Sequence, residues 1–334
     1  MKKKILFITK GVHAASTRYR ALNYFPYLRK NGWTPCHLSA DNSIFRPFKV
    51  LNSARKADVV VVLRKTFNGF FSNLLHRFSK HLIFDMDDAI FCHSDGTPSQ
   101  MRAKRFKNIA NRCDQIWAGN SYLASMALRH NPSVVLLPTS LSPEKYFLTT
   151  TKNNNFLELV WIGSSATKRY LNSALPLLEE IAESIPDLRL KIVADFDLTA
   201  QKLPVQSIVW SEEIEAEALA SSHIGIAPMP DDAWTQGKCG LKILQYMAAG
   251  LPVISSPSGV NKDIVKHGIN GFLAQNPEDW KAAIKHLAQN PDQRQRMGQA
   301  GRKTVLENYS IDATFTSMAT ALDAIMENPG KNTQ

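Results

Sequence analysis

WTQGKCGLKILQYMAAGLPVISSPSGVNKDIVKHGINGFLA, residues 234–274, is the most informative stretch of this 334-residue chain. It opens with a loop carrying Gly237, Lys238 and Gly240. A helix then runs through Ala249, a Gly-Pro break follows, and a buried strand is expected over Leu251 to Ser255. A second loop and a short helix ending at His267-Gly268 complete the stretch. A Gly- and Lys-bearing loop at the start of a helix suits an anionic ligand. The first helical amides lack partners, the dipole is positive there, and Gly lets backbone approach a phosphate. On spacing alone, an ordinary αβ unit of a parallel sheet is an equally open reading.

Working outward, the same alternation of strand and helix runs through the whole chain. The first half reads as strand Lys4–Thr9, loop Lys10–Ser16 and helix Thr17–Asn31, then strands at Thr34–Ser39 and Ala57–Leu63. ADVVVVL, the last of these, is the unbroken apolar run of a central parallel strand. Helix Asn68–Phe78, strand His81–Asp85, helix Met101–Arg112, strand Gln115–Ala118, helix Ser121–Arg129 and strand Val134–Leu137 follow. After the polar run Thr149–Asn155 the pattern restarts with strand Leu157–Gly163 and helix Tyr170–Ser184. Strands Leu188–Ala194 and Ile208–Trp210, helix Ile214–Ala220 and strand Ile224–Ala227 lead back to the opening stretch. Helices Pro277–Gln289, Pro291–Tyr309 and Ile311–Met326 close the chain. Repeated βα units imply doubly wound parallel sheets, an α/β fold of two domains.

Composition narrows the class. Hydrophobic residues make up 44% of the chain, enough for two cores. No apolar run reaches the roughly 18 residues of a membrane span. MKKKILFITKG reads as a first strand and not a signal peptide, because Ile5–Thr9 is short and charge returns at Lys10. Cys36, Cys92, Cys113 and Cys239 are scattered, which points to reduced thiols in a cytoplasmic protein. Charge is divided unevenly. Residues 1–150 hold 23 Lys and Arg against 8 Asp and Glu, a net +15, and the remainder is net −4. The basic half favours an anionic partner: an acidic membrane surface or an anionic acceptor. Nucleic acid is not expected, since no zinc-finger or RNP-type motif is present.

The portion AAGLPVISSPSGVNKDIVKHGINGFLA resembles the donor-binding region of the GT4 (group 1) glycosyltransferases. LLPTSLSPEKYF (Leu136–Phe147) resembles that family's exit to its interdomain linker. The resemblance implies the GT-B fold, two Rossmann-like domains facing a cleft. Residues 1–149 would form an acceptor domain and 150–310 a nucleotide-sugar domain. Residues 311–334 would hold a helix crossing back to the first domain, plus a tail. It further implies a metal-independent, retaining transfer from a nucleotide-diphosphate sugar to a glycan or lipid-linked acceptor. The setting would be cell-surface polysaccharide synthesis, in the cytoplasm or at the inner face of the plasma membrane. No metal and no cofactor beyond the sugar nucleotide is expected. The family's two glutamates, which contact donor sugar and ribose, fall on Gly237 and Gln245. Gln245 keeps hydrogen-bonding capacity without charge, Gly237 has no side chain, and Lys238 and Lys242 add positive charge. Two alternatives therefore stay open: a nucleotide-sugar-binding protein without turnover, and a sugar-nucleotide epimerase of the same fold.

Candidate residues follow. Lys238 would stabilise the leaving diphosphate. In WIGSSATKRYL the strand-to-helix turn at Gly163, Ser164 and Ser165, with Lys168, would cradle it, unless these are simply turn and surface residues. Gly237, Lys242 and Gln245 join the donor set, with Trp234 either stacking on the ligand or packing. In MPDDAWTQGK, Asp231 and Asp232 would touch sugar hydroxyls or cap a turn. In FDMDDAIFCH, Asp87 and Asp88 follow a strand and would orient or deprotonate the acceptor hydroxyl, or serve as turn carboxylates. This motif also resembles the FDxDGT signature of haloacid-dehalogenase-type phosphotransferases. Asp88 and Ala89 depart from that signature, and the motif lies four strands into its domain. In KGVHAASTRYR, Gly11, Arg18 and Arg20 would meet the acceptor, and Ser16 or Thr17 would cap the helix. Phe67, Phe70, Phe71, Leu74, Leu75 and Phe78 fall at helical spacing among basic residues. They fit the core face of a helix, or a membrane-surface helix with Phe67 or Phe71 exposed.

Overall fold

A computed structural model describes residues 2–40, 46–146, 152, 155–185 and 187–327. The expected boundary at 149/150 and the tail 328–334 lie outside the described residues, as does most of the polar run 149–155. The chain divides into two compact units. The first comprises residues 1–140, 232–239 and 311–334, and the second residues 141–231 and 240–310. Segment 232–239, expected with the second domain, thus packs as part of the first unit.

The first unit holds strands β1 (Lys3–Thr9), β2 (Trp33–Ser39), β3 (Val59–Leu63), β4 (His81–Met86), β5 (Gln115–Ala118) and β6 (Val134–Leu136). They form one parallel sheet of order β2-β1-β3-β4-β5-β6. The helices between them are α1 (Ala15–Arg20), α2 (Phe25–Lys30), α3 (Arg46–Arg55), α4 (Gly69–Phe78), α5 (Gln100–Ala110) and α6 (Ser121–Leu128). β3 and β4 are buried along their whole length, which is why they read as apolar runs. α3 to α6 cover one sheet face through Val50, Ala54, Leu75, Phe106, Ile109 and Leu123. The last helix of the chain, Ile311–Glu327, covers the other face with Tyr24 and Leu28. Its Phe315, Met318, Leu322 and Ile325 are buried there, each side chain contributing on the order of 1.5–3 kcal/mol. The Tyr24 hydroxyl, 2.6 Å from Ser140 Oγ and 2.8 Å from Thr314 Oγ1, ties that helix down.

Four expectations are corrected here. Helix Thr17–Asn31 is broken into α1, a 3-10 turn at Leu22–Tyr24 and α2, because Pro26 fits only the first turn of a new helix. The cap of α1 is Ala14, with no side-chain hydrogen bond, and not Ser16 or Thr17. α3 was not anticipated, since half of RPFKVLNSAR is charged or polar. Phe67 and Phe71 meet edge to face with ring centroids 4.9 Å apart and pack against the core, whereas Phe70 is the exposed ring.

The second unit holds β7 (Leu157–Ile162), β8 (Leu188–Ala194), β9 (Val205–Val209), β10 (Ile224–Ala227), β11 (Val253–Ser255) and β12 (Gly271–Leu273). Its parallel sheet runs β12-β11-β10-β7-β8-β9. Helices α7 (Lys168–Ser184), α8 (Glu212–Ala220), α9 (Ala233–Gln236), α10 (Leu241–Ala248), α11 (Asn261–Ile264), α12 (Pro277–Gln289) and α13 (Pro291–Asn308) follow in chain order, and Ile311–Glu327 becomes α14. Of these, α9 and α14 belong to the first unit. β9 begins earlier than the expected Ile208, as an edge strand whose burial is mixed. The strand expected from Leu251 is the shorter β11, because Pro252 precedes it. Glu158, a charge inside buried β7, is neutralised by Lys191 of β8 at 2.5 Å.

Each sheet reverses its strand order once, between β1 and β3 and between β7 and β10. In open parallel sheets, ligands bind beyond the carboxyl ends of the strands at such switch points. Loops beginning at Lys10 and Arg64 leave the first, and loops beginning at Gly163 and Pro228 leave the second.

Candidate functional site

In the first unit the strand exits assemble a charged cluster. Asp85, on buried β4, is fully buried, and Arg20 binds it through Nε at 2.9 Å and Nη2 at 2.5 Å. Arg20 also donates to the Leu137 carbonyl at 2.9 Å. Arg20, expected to meet an acceptor, is therefore spent on positioning β4: a buried carboxylate needs a paired cation. Burial disfavours the Arg20 charge, but Asp85 outweighs it and holds the guanidinium protonated.

Asp87 and Asp88 follow β4. Arg64, which follows β3, sits with left-handed backbone, φ 59°, while its amide donates to the Asp85 carbonyl at 2.8 Å. Its guanidinium lies against Asp88 and 3.6 Å from Asp87 Oδ1. Lys238 reaches Asp88 Oδ1 at 2.8 Å. Two cations thus bracket one buried carboxylate. Burial raises the Asp88 pKa, opposed chiefly by Lys238 and Arg64. Burial also lowers that of Lys10, with Arg64 adding to the effect. Asp87 Oδ1 is buried without a hydrogen-bond donor and faces Arg64 Nε at 3.6 Å. The three candidate catalytic residues, Lys238, Asp87 and Asp88, are brought together, but Lys238 lies on a carboxylate and not beside a free anion site.

Segment 232–239 is built for this position. Asp232 caps α9, accepting from the amides of Trp234 at 2.9 Å and Thr235 at 2.8 Å. Asn120 caps α6 through Leu123 N at 2.8 Å, while its amide donates to the carbonyls of Gln236 and Lys238. Cys239 is buried, its thiol 3.3 Å from the Asp87 carbonyl. Trp234 packs on the core, and Lys238 Nζ lies 4.6 Å from its ring centroid. A Cβ on Gly237 would stand 2.5 Å from Ala89 N and 2.6 Å from Ala89 Cβ. The position that carries a glutamate in the resembled family therefore has no room for a side chain here. Of the other first-unit candidates, Gly11 stands in the β1 exit loop with φ 127° and Arg18 rests on the Tyr19 ring at 5.7 Å.

In the second unit the turn after β7 has its amides engaged. Gly163 N donates to Val193 O at 3.1 Å, Ser164 N to Thr167 Oγ1 at 3.3 Å and Ser165 N to Asp195 Oδ1 at 2.6 Å. Asp195 thus occupies the place the sequence reading gave to a phosphate, and the Ser165 hydrogen bonds outweigh burial to lower its pKa. Lys168 lies over Phe196 at 4.5 Å and donates to the Asp197 carbonyl. Lys242, in the first turn of α10, lies 4.2 Å from the Trp161 ring centroid. Gly240, φ 70°, opens α10 with no side-chain cap. Gln245 is buried, donating to Glu215 Oε1 at 2.6 Å and Tyr146 OH at 3.2 Å. Trp210 Nε1 completes Glu215 at 2.5 Å. Both oxygens of Glu215 are thus engaged by protein donors, and Gln245 braces α10 against α8.

Arg64, Asn120, Asp195 and Glu215 were not among the candidates. Asn120 carried a signal, as a polar residue opening a helix. The others are defined by partners distant in sequence.

The comparisons with known proteins accord with this architecture. Residues 158–290 match the family model described as Glycosyl transferases group 1. Spore coat protein SA of Bacillus subtilis is 33% identical over 68 residues, 20% of this chain and 18% of that protein. Sulfoquinovosyl transferase SQD2 of Arabidopsis thaliana is 26% identical over 159 residues, 44% of this chain and 30% of that protein. The matched stretches thus span less than a third of these curated relatives. Sucrose-phosphate synthase from Thermosynechococcus elongatus superposes with TM-score 0.78 at 14% identity, covering 97% of this chain and 99% of that one. HepE of Anabaena, solved in complex with UDP and glucose, gives TM-score 0.73 at 13% identity over 96% of this chain and 100% of that one. The chain has the GT-B fold and carries, in residues 158–290, the sequence signature of the group 1 glycosyltransferases.

Proposed function

We propose that the protein transfers a sugar from a nucleotide-diphosphate sugar to a hydroxyl of a glycan or lipid-linked acceptor, with retention and without a metal, in cell-surface polysaccharide synthesis. The observation that carries this reading is the group 1 signature over residues 158–290, which contains α10 and β11. HepE, of the same fold, is described in complex with UDP-glucose. Lys238 and Lys242 flank Gly240 in sequence and supply positive charge for the leaving diphosphate. Asp87, which follows β4 beside Asp88, orients the acceptor hydroxyl. The basic first half suits an anionic acceptor or membrane surface, and no helix among the described residues is long and apolar enough to cross a membrane.

The test is product analysis with purified protein, a panel of UDP, GDP and ADP sugars, and acceptor extracts. Nucleotide released only when acceptor is present supports transfer. A second reading, binding without turnover, is favoured by one observation: neither family glutamate position carries a carboxylate. Saturable nucleotide-sugar binding with no product from any acceptor would establish it, and conversion of the free sugar nucleotide would establish an epimerase.

A further inference from the structure

Among the described residues of the first unit, four of the six exposed large apolar side chains gather at one edge of its sheet, Leu128 and Leu136 being the others. α3, α4 and α5 lie side by side on one face of the sheet, each crossing back from one parallel strand to the next. Such helices run against the strands, so their N-termini all stand at the carboxyl edge of the sheet. In each first turn one large apolar side chain faces solvent: Phe48 is 80% exposed, Phe70 75% and Met101 59%. Val12, 47% exposed in the loop after β1, stands on the same edge. These are four of the ten exposed large apolar residues among the described part of the chain. They share this edge with Lys10, Arg64, Asp87 and Asp88.

The charged side chains in the first turns of these helices have one sign, while Asp87, Asp88 and the exposed Asp95 stand in the loop between β4 and α5. Helix N-termini ordinarily favour Asp or Glu, yet the first turns of α3, α4 and α5 contain none. Lys49 and Arg102 stand there instead, with Lys104 and Arg105 next on α5. All four are exposed, and among the described residues none forms an ion pair. Cations placed against a positive helix end are tolerated when an anionic partner covers them. A soluble anion accounts for the cations but not for three separate apolar tips. An anionic lipid surface accounts for both, since headgroup phosphates meet the cations and the acyl boundary takes the tips.

We propose that this edge docks the protein onto an anionic membrane, with Phe48, Phe70 and Met101 inserting at the headgroup level. The proposal deepens the reading of a lipid-linked acceptor and rests on it for its purpose. Vesicle binding is measured without donor or acceptor, so the two readings fail separately.

The full chain is sedimented with phosphatidylcholine vesicles, with and without about one-third phosphatidylglycerol. The wild type should pellet only with the anionic vesicles and be released as salt rises. The triple variant Phe48→Ser/Phe70→Ser/Met101→Ser should bind at least roughly 10-fold more weakly, and its thermal melting should match the wild type because the tips are exposed. A second variant, Arg102→Gln/Lys104→Gln/Arg105→Gln, should lose binding to a similar degree. No binding to anionic vesicles, or equal binding to neutral ones, overturns the proposal. Unchanged binding of the triple Ser variant beside a loss in the Gln variant also overturns it, and assigns the edge to a soluble polyanion.

Discussion

Replacing Gly237 with alanine tests why the chain departs from its relatives at this position. The backbone there is ordinary, φ −80° and ψ −3°, so alanine adopts it without strain. With nothing in the way, the substitution would stabilise the protein by about 0.4–1 kcal/mol, by restricting the unfolded chain. The new Cβ, however, would stand 2.5 Å from Ala89 N, 2.6 Å from Ala89 Cβ and 3.0 Å from Ala89 Cα. Two of these neighbours are backbone, so the gap must open by moving the segment or the turn after Asp88. Overpacking of this kind costs about 1–3 kcal/mol. The balance is a net loss centred on about 1.3 kcal/mol, within a span of about 0–2.6 kcal/mol. Urea unfolding followed by tryptophan fluorescence measures it, with Trp234 close to the change. Ala89→Gly in the same background removes the Cβ contact but leaves the backbone one, so it should restore the midpoint only in part. Gly237→Glu, which recreates the family residue, should be at least as destabilising and should not raise activity. A Gly237→Ala protein as stable as wild type, or more so, would refute the argument. Position 237 would then be open, and the absence of glutamate would need another cause.

Lys238→Ala should lower kcat by roughly 10²-fold or more, as for the loss of one preorganised charge-stabilising group, and steady-state turnover of a folded variant checks it. Asp87→Asn and Asp88→Asn should each reduce transfer while nucleotide affinity, read by thermal shift, stays nearly intact. A collapse of nucleotide affinity would place this loop in the donor site, and a magnesium-dependent phosphatase activity requiring Asp85 would displace the transferase reading. His223 is held neutral: burial lowers its pKa from 6.5 to about 4, and its Nδ1 accepts from Glu158 N at 3.1 Å. A base with a lowered folded pKa contributes fully above its unfolded pKa and loses that contribution as pH falls through the folded one. Stability should therefore drop by about 2 kcal/mol between pH 6.5 and 4, the shift being discounted for screening, and His223→Asn should flatten this part of the urea-midpoint profile.

What the sequence disclosed follows from where its signals are local. β3 and β4 were legible because both faces of a central parallel strand are buried, leaving a continuous apolar run. β9 was cut short because an edge strand with mixed exposure has no such run. α3 stayed unread because half of its ten residues are charged or polar, and its place is set by the crossover from β2 to β3. Phe70 was misjudged beside Phe67 and Phe71 because ring exposure depends on helix rotation, which spacing leaves open by a residue.

The site divides along the same line. Asp87, Asp88 and Lys238 were legible as chemistry-bearing residues after strands and in Gly-rich loops. Their relation was not, because Lys238 and Asp88 are 150 residues apart and meet only through the seating of segment 232–239. That seating rests on pieces that look unremarkable in sequence: Asn120 holding two carbonyls, Gly237 clearing Ala89, and Gly119, where a Cβ would stand 2.3 Å from the Cys239 sulfur. Each is a small or capping residue whose meaning is a neighbour's position. The same logic explains Gln245. Read alone it is a glutamate that has lost its charge, but beside Glu215, Tyr146 and Trp210 it donates to a carboxylate carried on another helix. Buried or half-buried carboxylates do stand at other positions of the chain. Asp88 and Asp87 stand on the first unit, and Glu215 stands on the second. The substitutions at Asp87, Asp88 and Gly237 measure what the first-unit carboxylates contribute to transfer.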